Sequence, residues 1–462
     1  MFRQRKPKGL NIIIVGLGRV GVTLVEQLSA EGHDITIVDK DQSKVKEISD
    51  LYDVIGIVGN GASFAVQMEA GIEDANLIIA VTESDELNLL CCTVARRVGG
   101  CAAIARVRNP DYSFETGYLR DRLGLAMIIN PELETSRQMT RILGMPTALE
   151  VNSFAHGHAE LVKFKVAAGS VLDGMGISTI GARTENILIC AVERDGKVFI
   201  PGGNDELRAG DIAIFVAPRK VARAFFKKIG SKDKQVKNTL IVGGGDSGYY
   251  LARQLLHMGI NVTIIEKDMK RCERLSSLIP KAVIINGDGT DEDLLREEGI
   301  ADTESFVPLT GSDEENILLT LFAQKVSRDN TKVITKINRI TFGDVIDGLD
   351  LGSVLYPRYI TAEAIIAYVR AKSASRSSNI ETLSYLFDHR VEAIEFKVDE
   401  EYKGITNVPL MELQLKKNVL VSFINRQGKI IIPSGQDMLL PSDTVMIVTT
   451  NKGFVDLSDI LE

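Results

Sequence analysis

The sequence predicts an α/β protein built in tandem, with two doubly wound parallel-sheet domains, each followed by a small α+β domain. Three observations predict it. An apolar run, a glycine cluster and a helix-like segment occur together twice. They read IIIVGLGRVGVTLVEQL (Gly16, Gly18, Gly21) and, near the middle of the chain, LIVGGGDSGYYLARQLL (Gly243, Gly245, Gly248). After each cluster, short β-branched runs alternate with segments of helical period, the pattern of βαβ units. A different stretch, NILICAVERDGKVFIPGGNDELRAGDIAIFV, aligns without gaps on NVLVSFINRQGKIIIPSGQDMLLPSDTVMIV, placing Gly196 on Gly428 and Pro201 on Pro433. The order is therefore unit A, unit B, unit A, unit B.

In the first unit A the strands are expected near residues 11–15, 35–39, 54–58, 77–81 and 103–107. Runs such as NIIIVG and LIIAV lack alternation, as expected when helices cover both faces of a sheet. The second strand, in HDITIVDK, ends on Asp39 and Lys40, and its counterpart INVTIIEK ends on Glu266 and Lys267. The third leads into Gly59, Asn60 and Gly61, matched by Gly287, Asp288 and Gly289. After the fourth, Thr82, Ser84, Asp85, Glu86 and Asn88 align with Thr310, Ser312, Asp313, Glu314 and Asn316. CAAIARVRN, with Arg106, is matched by KVITKINR, with Lys336. Each unit A closes with a helix opened by proline, Pro131 or Pro357, a residue suited to a first helical turn. Unit B reads as short strands around an RDGK or RQGK turn, with one or two helices. Polar stretches at 230–238 and 371–379 read as linkers, giving domains at 1–148, 149–230, 231–373 and 374–462.

At 462 residues several domain cores are expected. A formal charge of −8 argues against a nucleic-acid partner, which calls for a basic field. No apolar run reaches the roughly eighteen residues of a membrane span. The basic, then apolar, start flows straight into the glycine loop and reads as a first strand and not a signal peptide. Five cysteines without metal-ligand spacing suit a reducing cytosol. His156 and His158, on an expected strand edge, read as solvent-facing rather than as a metal pair.

In G-x-G-x-x-G the first glycine permits the tight strand-to-helix turn, the second lets backbone approach a pyrophosphate, and the third lets helix pack on strand. The helix N-terminus adds free N–H groups and partial positive charge. Asp39, at the end of the strand that follows the first loop and its helix, stands where a carboxylate bonds ribose hydroxyls in such a Rossmann-like fold. Glu266 repeats it in the second half. The two loops differ in charge. Arg19 offers a bidentate phosphate donor, whereas its counterpart Asp246 is an acid that repels phosphate unless paired. Arg106 and Lys336 are further cations, with a surface ion pair as the ordinary alternative. Asp288 is placed to accept a bond from an adenine amino group. The segment beginning at Thr82 or Thr310 lies at the carboxyl edge where these folds bind ligands, with helix capping by Ser84/Asp85 and Ser312/Asp313 alongside. No G-x-x-x-x-G-K-[ST] loop occurs, and unit B brings turn residues in place of a positioned acid or base.

The A–B–A–B order carries VGLGRVG…VDKD, VGNGAS, AVTESDELN and ARVRNPDY in the first half, and VGGGDSG…IEKD, NGDGT, LTGSDEEN and GKIIIPSGQD in the second. It resembles the TrkA family of Trk-type potassium uptake regulatory proteins. The resemblance spans essentially the whole chain and implies two tandem regulator-of-potassium-conductance (RCK) units. It implies a non-enzymatic cytoplasmic regulator, peripheral on the inner face of the membrane and bound to an integral potassium-translocating subunit of the Trk class. It further implies a homotetrameric ring and responses to NAD(H) and ATP/ADP. The ligand positions it implies are Gly16, Gly18, Arg19, Gly21, Asp39, Gly61, Thr82 and Arg106, then Gly243, Gly245, Gly248, Glu266, Asp288, Thr310 and Lys336. The candidate set is completed by their neighbours Val20, Lys40, Gly59, Asn60, Asp85, Asp246, Lys267, Gly289 and Asp313. Two other readings stay open: a soluble NAD-dependent oxidoreductase, and the gating module of a ligand-gated potassium channel.

Overall fold

The computed structural model describes residues 9–113, 116–184, 186–229, 236–327, 331–338, 348–373, 380–387, 389–398, 402 and 404–462. Residues 1–8 and most of the two expected linkers (230–235 and 374–379) lie outside the described residues.

The first A lobe follows its apolar pattern closely. Strands β1 (Asn11–Val15), β2 (Asp34–Asp39), β3 (Ile55–Val58), β4 (Leu77–Ala80), β5 (Ala102–Arg106) and β6 (Met127–Ile129) form one parallel sheet. Their order is β3-β2-β1-β4-β5-β6. Helices α1 (Arg19–Ala30), α2 (Gln42–Tyr52), α3 (Phe64–Glu69), α4 (Asp85–Val98), α5 (Pro110–Ser113), α6 (Thr116–Leu123) and α7 (Pro131–Leu143) connect the strands and close the lobe. β1 lies between β2 and β4, with Ile12 level with Ile35 and Leu77. The strand order reverses there, opening a crevice at the carboxyl ends of β1 and β4. Ile12, Ile13, Ile14, Leu77, Ile78 and Ile79 are all buried, which explains why neither run alternates.

The second A lobe repeats this. β12 (Asn238–Val242), β13 (Asn261–Glu266), β14 (Val283–Asn286), β15 (Ser305–Pro308), β16 (Lys332–Lys336) and β17 (Ser353–Leu355) are ordered β14-β13-β12-β15-β16-β17, all parallel. Helices α10 (Asp246–His257), α11 (Met269–Leu278), α12 (Glu292–Glu297) and α13 (Asp313–Val326) lie between them, and α14 (Pro357–Ser373) follows.

Each B lobe is a five-stranded antiparallel sheet. The first runs β10-β9-β11-β8-β7, from β7 (Glu150–Phe154), β8 (Ala159–Lys165), β9 (Leu188–Arg194), β10 (Lys197–Phe199) and β11 (Ile212–Pro218), with helices α8 (Ile177–Arg183) and α9 (Arg219–Lys228). The second runs β18-β19-β22-β20-β21, from β18 (Ile380–Leu386), β19 (Val391–Lys397), β20 (Val419–Arg426), β21 (Lys429–Ile431) and β22 (Thr444–Thr449). The aligned RDGK and RQGK turns are tight hairpins with both central residues at positive φ: Asp195 (50°) and Gly196 (74°), Gln427 (51°) and Gly428 (85°). That conformation matches strand twist and explains the repeated glycine. The same arginine–aspartate pair ties each sheet, Arg194–Asp211 and Arg426–Asp443, both at 2.7 Å.

The chain divides into two compact units that group like lobes with like. One comprises Met1–Met139 and Lys237–Ala362, the two A lobes; the other comprises Thr140–Val236 and Glu363–Glu462, the two B lobes. Within the second unit the B lobes share one core, in which Phe154, Leu161 and Val216 pack with Val391, Phe423 and Met446. His156 and His158 differ from the strand edge expected of them. His156 lies in a 3-10 turn at Ala155–Gly157 and His158 closes that turn, both exposed. No group of three metal-ligating side chains occurs among the described residues.

Candidate functional site

The glycines divide into those the backbone requires and those that leave space. Gly16 has φ +100°, and a Cβ there would lie 2.8 Å from the Thr82 nitrogen; Gly243 has φ +107°, with the Leu309 carbonyl oxygen at 2.8 Å. A Cβ on Gly21 would meet the Gly16 carbonyl oxygen at 1.9 Å, and one on Gly248 the Gly243 oxygen at 2.3 Å. These four hold helix against strand. Gly61 and Gly289 serve packing too, since a Cβ on either would strike Val15 or Val242 at 2.2 Å, and Gly59 packs likewise on Val66. Gly18 is different: nothing lies within 4 Å of its added Cβ. Its missing side chain leaves the N-terminus of α1 open, and no side chain caps that helix or α10. Arg19, beside it, is exposed, while Val20 is buried.

The acids that end β2 and β13 are wired to these loops. Asp39 accepts the N–H of Leu17 at 2.6 Å and that of Asp41 at 3.0 Å. Glu266 accepts the N–H of Gly244 at 2.7 Å and that of Asp268 at 2.8 Å. Each carboxylate fixes its loop and keeps lone pairs for ribose hydroxyls. Lys40 is exposed. Asp288 is held by its own neighbours. It pairs with Lys267 at 2.8 Å and accepts the N–H and hydroxyl of Thr290, which hold its carboxyl well below the usual carboxylate range. Asn60, in the equivalent place, accepts the N–H of Ala62.

At the carboxyl edge of β4 and β5 an asparagine organises the site. Asn88, fully buried, accepts the N–H and hydroxyl of Thr82 and donates to the carbonyls of Thr82 and Arg106. Asn316 repeats the pattern with the Thr310 N–H and the carbonyls of Thr310 and Lys336. Its place in both SDExN segments is visible in the sequence; its bonding is not. Ser84 and Ser312 cap α4 and α13, whereas Asp85 and Asp313 hold the loop after the fifth strand. Asp85 accepts the N–H groups of Arg108 and Asn109, and Asp313 accepts that of Asn338. Both acids therefore support the site from behind.

Among the described residues Arg106 makes no surface ion pair. Its guanidinium donates to the Thr82 carbonyl at 2.5 Å, its Nε is buried without a partner, and burial pulls it below the ordinary guanidinium range. Lys336 donates to the Leu309 carbonyl at 3.4 Å and is likewise lowered by burial, opposed by Glu132 and Asp313 and reinforced by Arg19. Glu132, in the first turn of α7, has a buried Oε2 without a hydrogen-bond partner. Burial raises its carboxyl, against the attraction of Arg108 and Arg106. Within this compact unit the ligand edges of the two A lobes therefore face one another. The Tyr250 hydroxyl from α10 donates to the Arg108 carbonyl at 2.8 Å and accepts from Asn130 at 3.1 Å. Gln254 donates to Ser136 at 2.7 Å.

An open second glycine, an uncapped helix N-terminus, an unpartnered buried guanidinium nitrogen and a ribose-type acid fit the diphosphate and ribose of a nucleotide. In the second lobe Asp246 still reaches solvent, yet the surrounding protein strips part of its hydration and raises its carboxyl. Arg271, Arg108 and Arg274 pull it the other way.

Comparison with known proteins agrees with this geometry. The TrkA-N domain model matches residues 12–131 and 239–357, and the TrkA-C domain model matches residues 161–230. The Trk system potassium uptake protein TrkA of Haemophilus influenzae is 29% identical over 448 residues, covering 96% of each chain. The TrkA homolog of Archaeoglobus fulgidus is 31% identical, over 95% of this chain and 97% of its own. Among solved structures, the GsuK channel superposes with TM-score 0.64 at 18% identity, covering 96% of this chain and 77% of its own. The GsuK RCK domain gives 0.63 at 17% identity, covering 96% and 92%. The GsuK channel bound to NAD also gives 0.63 at 17% identity, covering 96% and 77%.

Proposed function

This chain belongs to the TrkA family, and on that premise we propose that it is the nucleotide-binding regulatory subunit of a Trk-type potassium uptake system. It acts from the cytoplasmic face on an integral potassium-translocating partner, as a homotetrameric ring, and carries out no chemistry of its own. The observation that carries this reading is the pairing of two unequal glycine loops in one compact unit, with Glu132 between their cations. NAD(H) and ATP/ADP are the ligands, seated at Gly18 and Gly245 with ribose hydroxyls on Asp39 and Glu266; carboxylates there favour a free 2′-hydroxyl over a 2′-phosphate.

A ligand shifts a conformational equilibrium only by the difference in its affinity for the two states. Arg106 of the first lobe and Lys336 of the second lie within electrostatic reach of the half-buried Glu132, and Arg19 of the first lobe lies within reach of Lys336. A bound phosphate competes with Glu132 for that charge, so occupancy changes the balance across the inter-lobe contact. Nucleotides carrying different charge bias it to different extents, and the transporter partner reads the result. Potassium uptake in cells that depend on this system tests the reading. Gly18→Val is expected to weaken nucleotide control of uptake, and Gly18→Val, Gly245→Val to abolish it, while the protein still accumulates. Uptake that responds to nucleotide equally in wild type and in the Gly18→Val, Gly245→Val double variant refutes it.

A further inference from the structure

The second glycine loop has lost its own cation and acquired an acid, and the neighbouring helix changes charge in the opposite sense. In the register that aligns Gly16 with Gly243, Arg19 becomes Asp246, Lys44 becomes Arg271 and Glu47 becomes Arg274. Positive charge has thus moved from the N-terminus of α10 to the first turns of α11. The geometry follows the exchange. In the first lobe nothing stands near Gly18, and Lys44 turns to Asp41 at 3.9 Å. In the second, Arg271 Nη1 lies 3.5 Å from the position of a Cβ on Gly245, over the face of the second glycine. Asp268, the counterpart of Asp41, caps α11 by accepting the backbone N–H of Arg271. Among the described residues the Arg271 guanidinium makes no ion pair within 4.0 Å.

A cleft lies beneath it, lined by Gly244, Asp246, Tyr249, Arg271, Arg274 and Pro110. Gly244 helps to open it, because the first loop carries the buried Leu17 at this position, while a Cβ on Gly244 would strike Leu275 at 2.5 Å. Arg274 stands beside Arg271 on α11 and reaches Asp111 of the first lobe at 3.4 Å. The loop therefore presents its open glycine face, its uncapped helix N-terminus and a long-reaching guanidinium to the same space.

We propose that Arg271, backed by Arg274, is the phosphate-binding cation of the second glycine loop, so that this loop seats the diphosphate of a nucleotide despite Asp246. A planar guanidinium bonds phosphate oxygens bidentately, a geometry the equivalent Lys44 does not offer. Asp246, which feels the field of Arg271 without a direct ion pair, stays beside the phosphate and repels it, which makes the second loop the weaker of the two. This inference rests on the nucleotide reading of the loops and adds the residue that makes the second one competent.

Calorimetric titration of the full-length protein with ADP tests it. Wild type is expected to show two classes of site, and Gly18→Val to retain the weaker one. Adding Arg271→Ala to Gly18→Val is expected to weaken that remaining site roughly ten- to hundredfold, the loss of one or two charge-assisted hydrogen bonds. Arg271 is exposed, so thermal unfolding of the variant is expected to match its parent. If Arg271 only neutralised Asp246, its replacement would have no effect in a Gly18→Val, Asp246→Ala background; a persistent loss supports direct phosphate contact. A Gly18→Val protein that binds no ADP, or one whose affinity is unchanged by Arg271→Ala, overturns the inference while leaving the first site intact. A wild-type protein that binds neither ADP nor NAD overturns the nucleotide reading itself.

Discussion

Replacing Asn88 by alanine removes four hydrogen bonds at once, and their geometry sets the size of the effect. Its Oδ1 lies 2.8 Å from the Thr82 nitrogen and 2.7 Å from the Thr82 hydroxyl; its Nδ2 lies 3.1 Å from the Thr82 carbonyl and 2.9 Å from that of Arg106. At ~1 kcal/mol net for each bond the loss is about 4 kcal/mol. Asn316→Ala, with three such bonds, is expected to cost about 3 kcal/mol. Asn60→Ala, at an exposed turn, is expected to cost under about 1 kcal/mol. A multidomain chain does not unfold in two states, so hydrogen exchange read peptide by peptide is the suitable assay. Asn88→Ala is expected to accelerate exchange in peptides covering β4 and β5 and leave β15 and β16 unchanged; Asn316→Ala is expected to do the reverse. An Asn88 effect no larger than that of Asn60, or one spread equally over both A lobes, refutes the argument that this amide clamps the carboxyl edge.

The glycines offer a second contrast. Gly16→Ala is expected to lower the melting temperature through strain at φ +100° and collision with Thr82, whereas Gly18→Val, at φ −77°, is expected to leave it unchanged and reduce nucleotide binding in a thermal-shift titration. Glu363 predicts a pH dependence: burial pushes its carboxyl up to about 8, Glu150 adds to the shift, and the Tyr385 N–H and Ser384 oppose it. Since the folded state holds this proton more tightly than the unfolded state, the contribution is complete below pH ~4.5 and falls by up to ~1.4 kcal/mol per unit as pH rises towards 8. Glu363→Gln is expected to flatten that slope in denaturation midpoints measured between pH 5 and 8, and an unchanged profile refutes the assignment. The Arg370–Glu392 pair, 3.1 Å apart with both side chains at most 3% exposed, predicts a loss of about 3–5 kcal/mol for Glu392→Ala. Most of that loss is expected to return in Arg370→Met, Glu392→Leu, judged by unfolding of β19 peptides.

The regular elements are legible because each is a local pattern. The first-lobe strands fall close to the expected positions, since apolar runs bounded by glycine and acid mark them directly. The turn and packing roles of Gly16, Gly21, Gly243 and Gly248 follow from their spacing. Four things are not legible. Asp85 and Asp313 look like ligand-edge acids in sequence, and only the fold shows them turned to the N–H groups after the fifth strand. The sequence offers Asp288 to adenine and does not show its pairing with Lys267, which follows Glu266 at the end of a parallel strand and reaches Asp288 across the sheet edge, a contact set by register. Arg271 carries no motif of its own, because its importance depends on an absent side chain at Gly245 and on α11 lying beside that loop. The grouping of A lobe with A lobe is also beyond the sequence: the order A–B–A–B specifies adjacency along the chain, and says nothing of which faces share a core.

The core that the two B lobes share has an evolutionary meaning. Two copies of a single A–B chain, pairing like with like, would be bound by symmetry, and any substitution at one glycine loop would appear at the other. Joining the copies end to end removes that obligation, since Phe154 and Phe423 meet in one hydrophobic cluster as they would between separate chains, yet each is inherited independently. The covalent link also raises the local concentration of one half around the other, so the pairing survives changes that would dissociate a symmetric dimer. A fused pair is thereby free to specialise, one loop carrying Arg19 and the other Asp246 within one folded object.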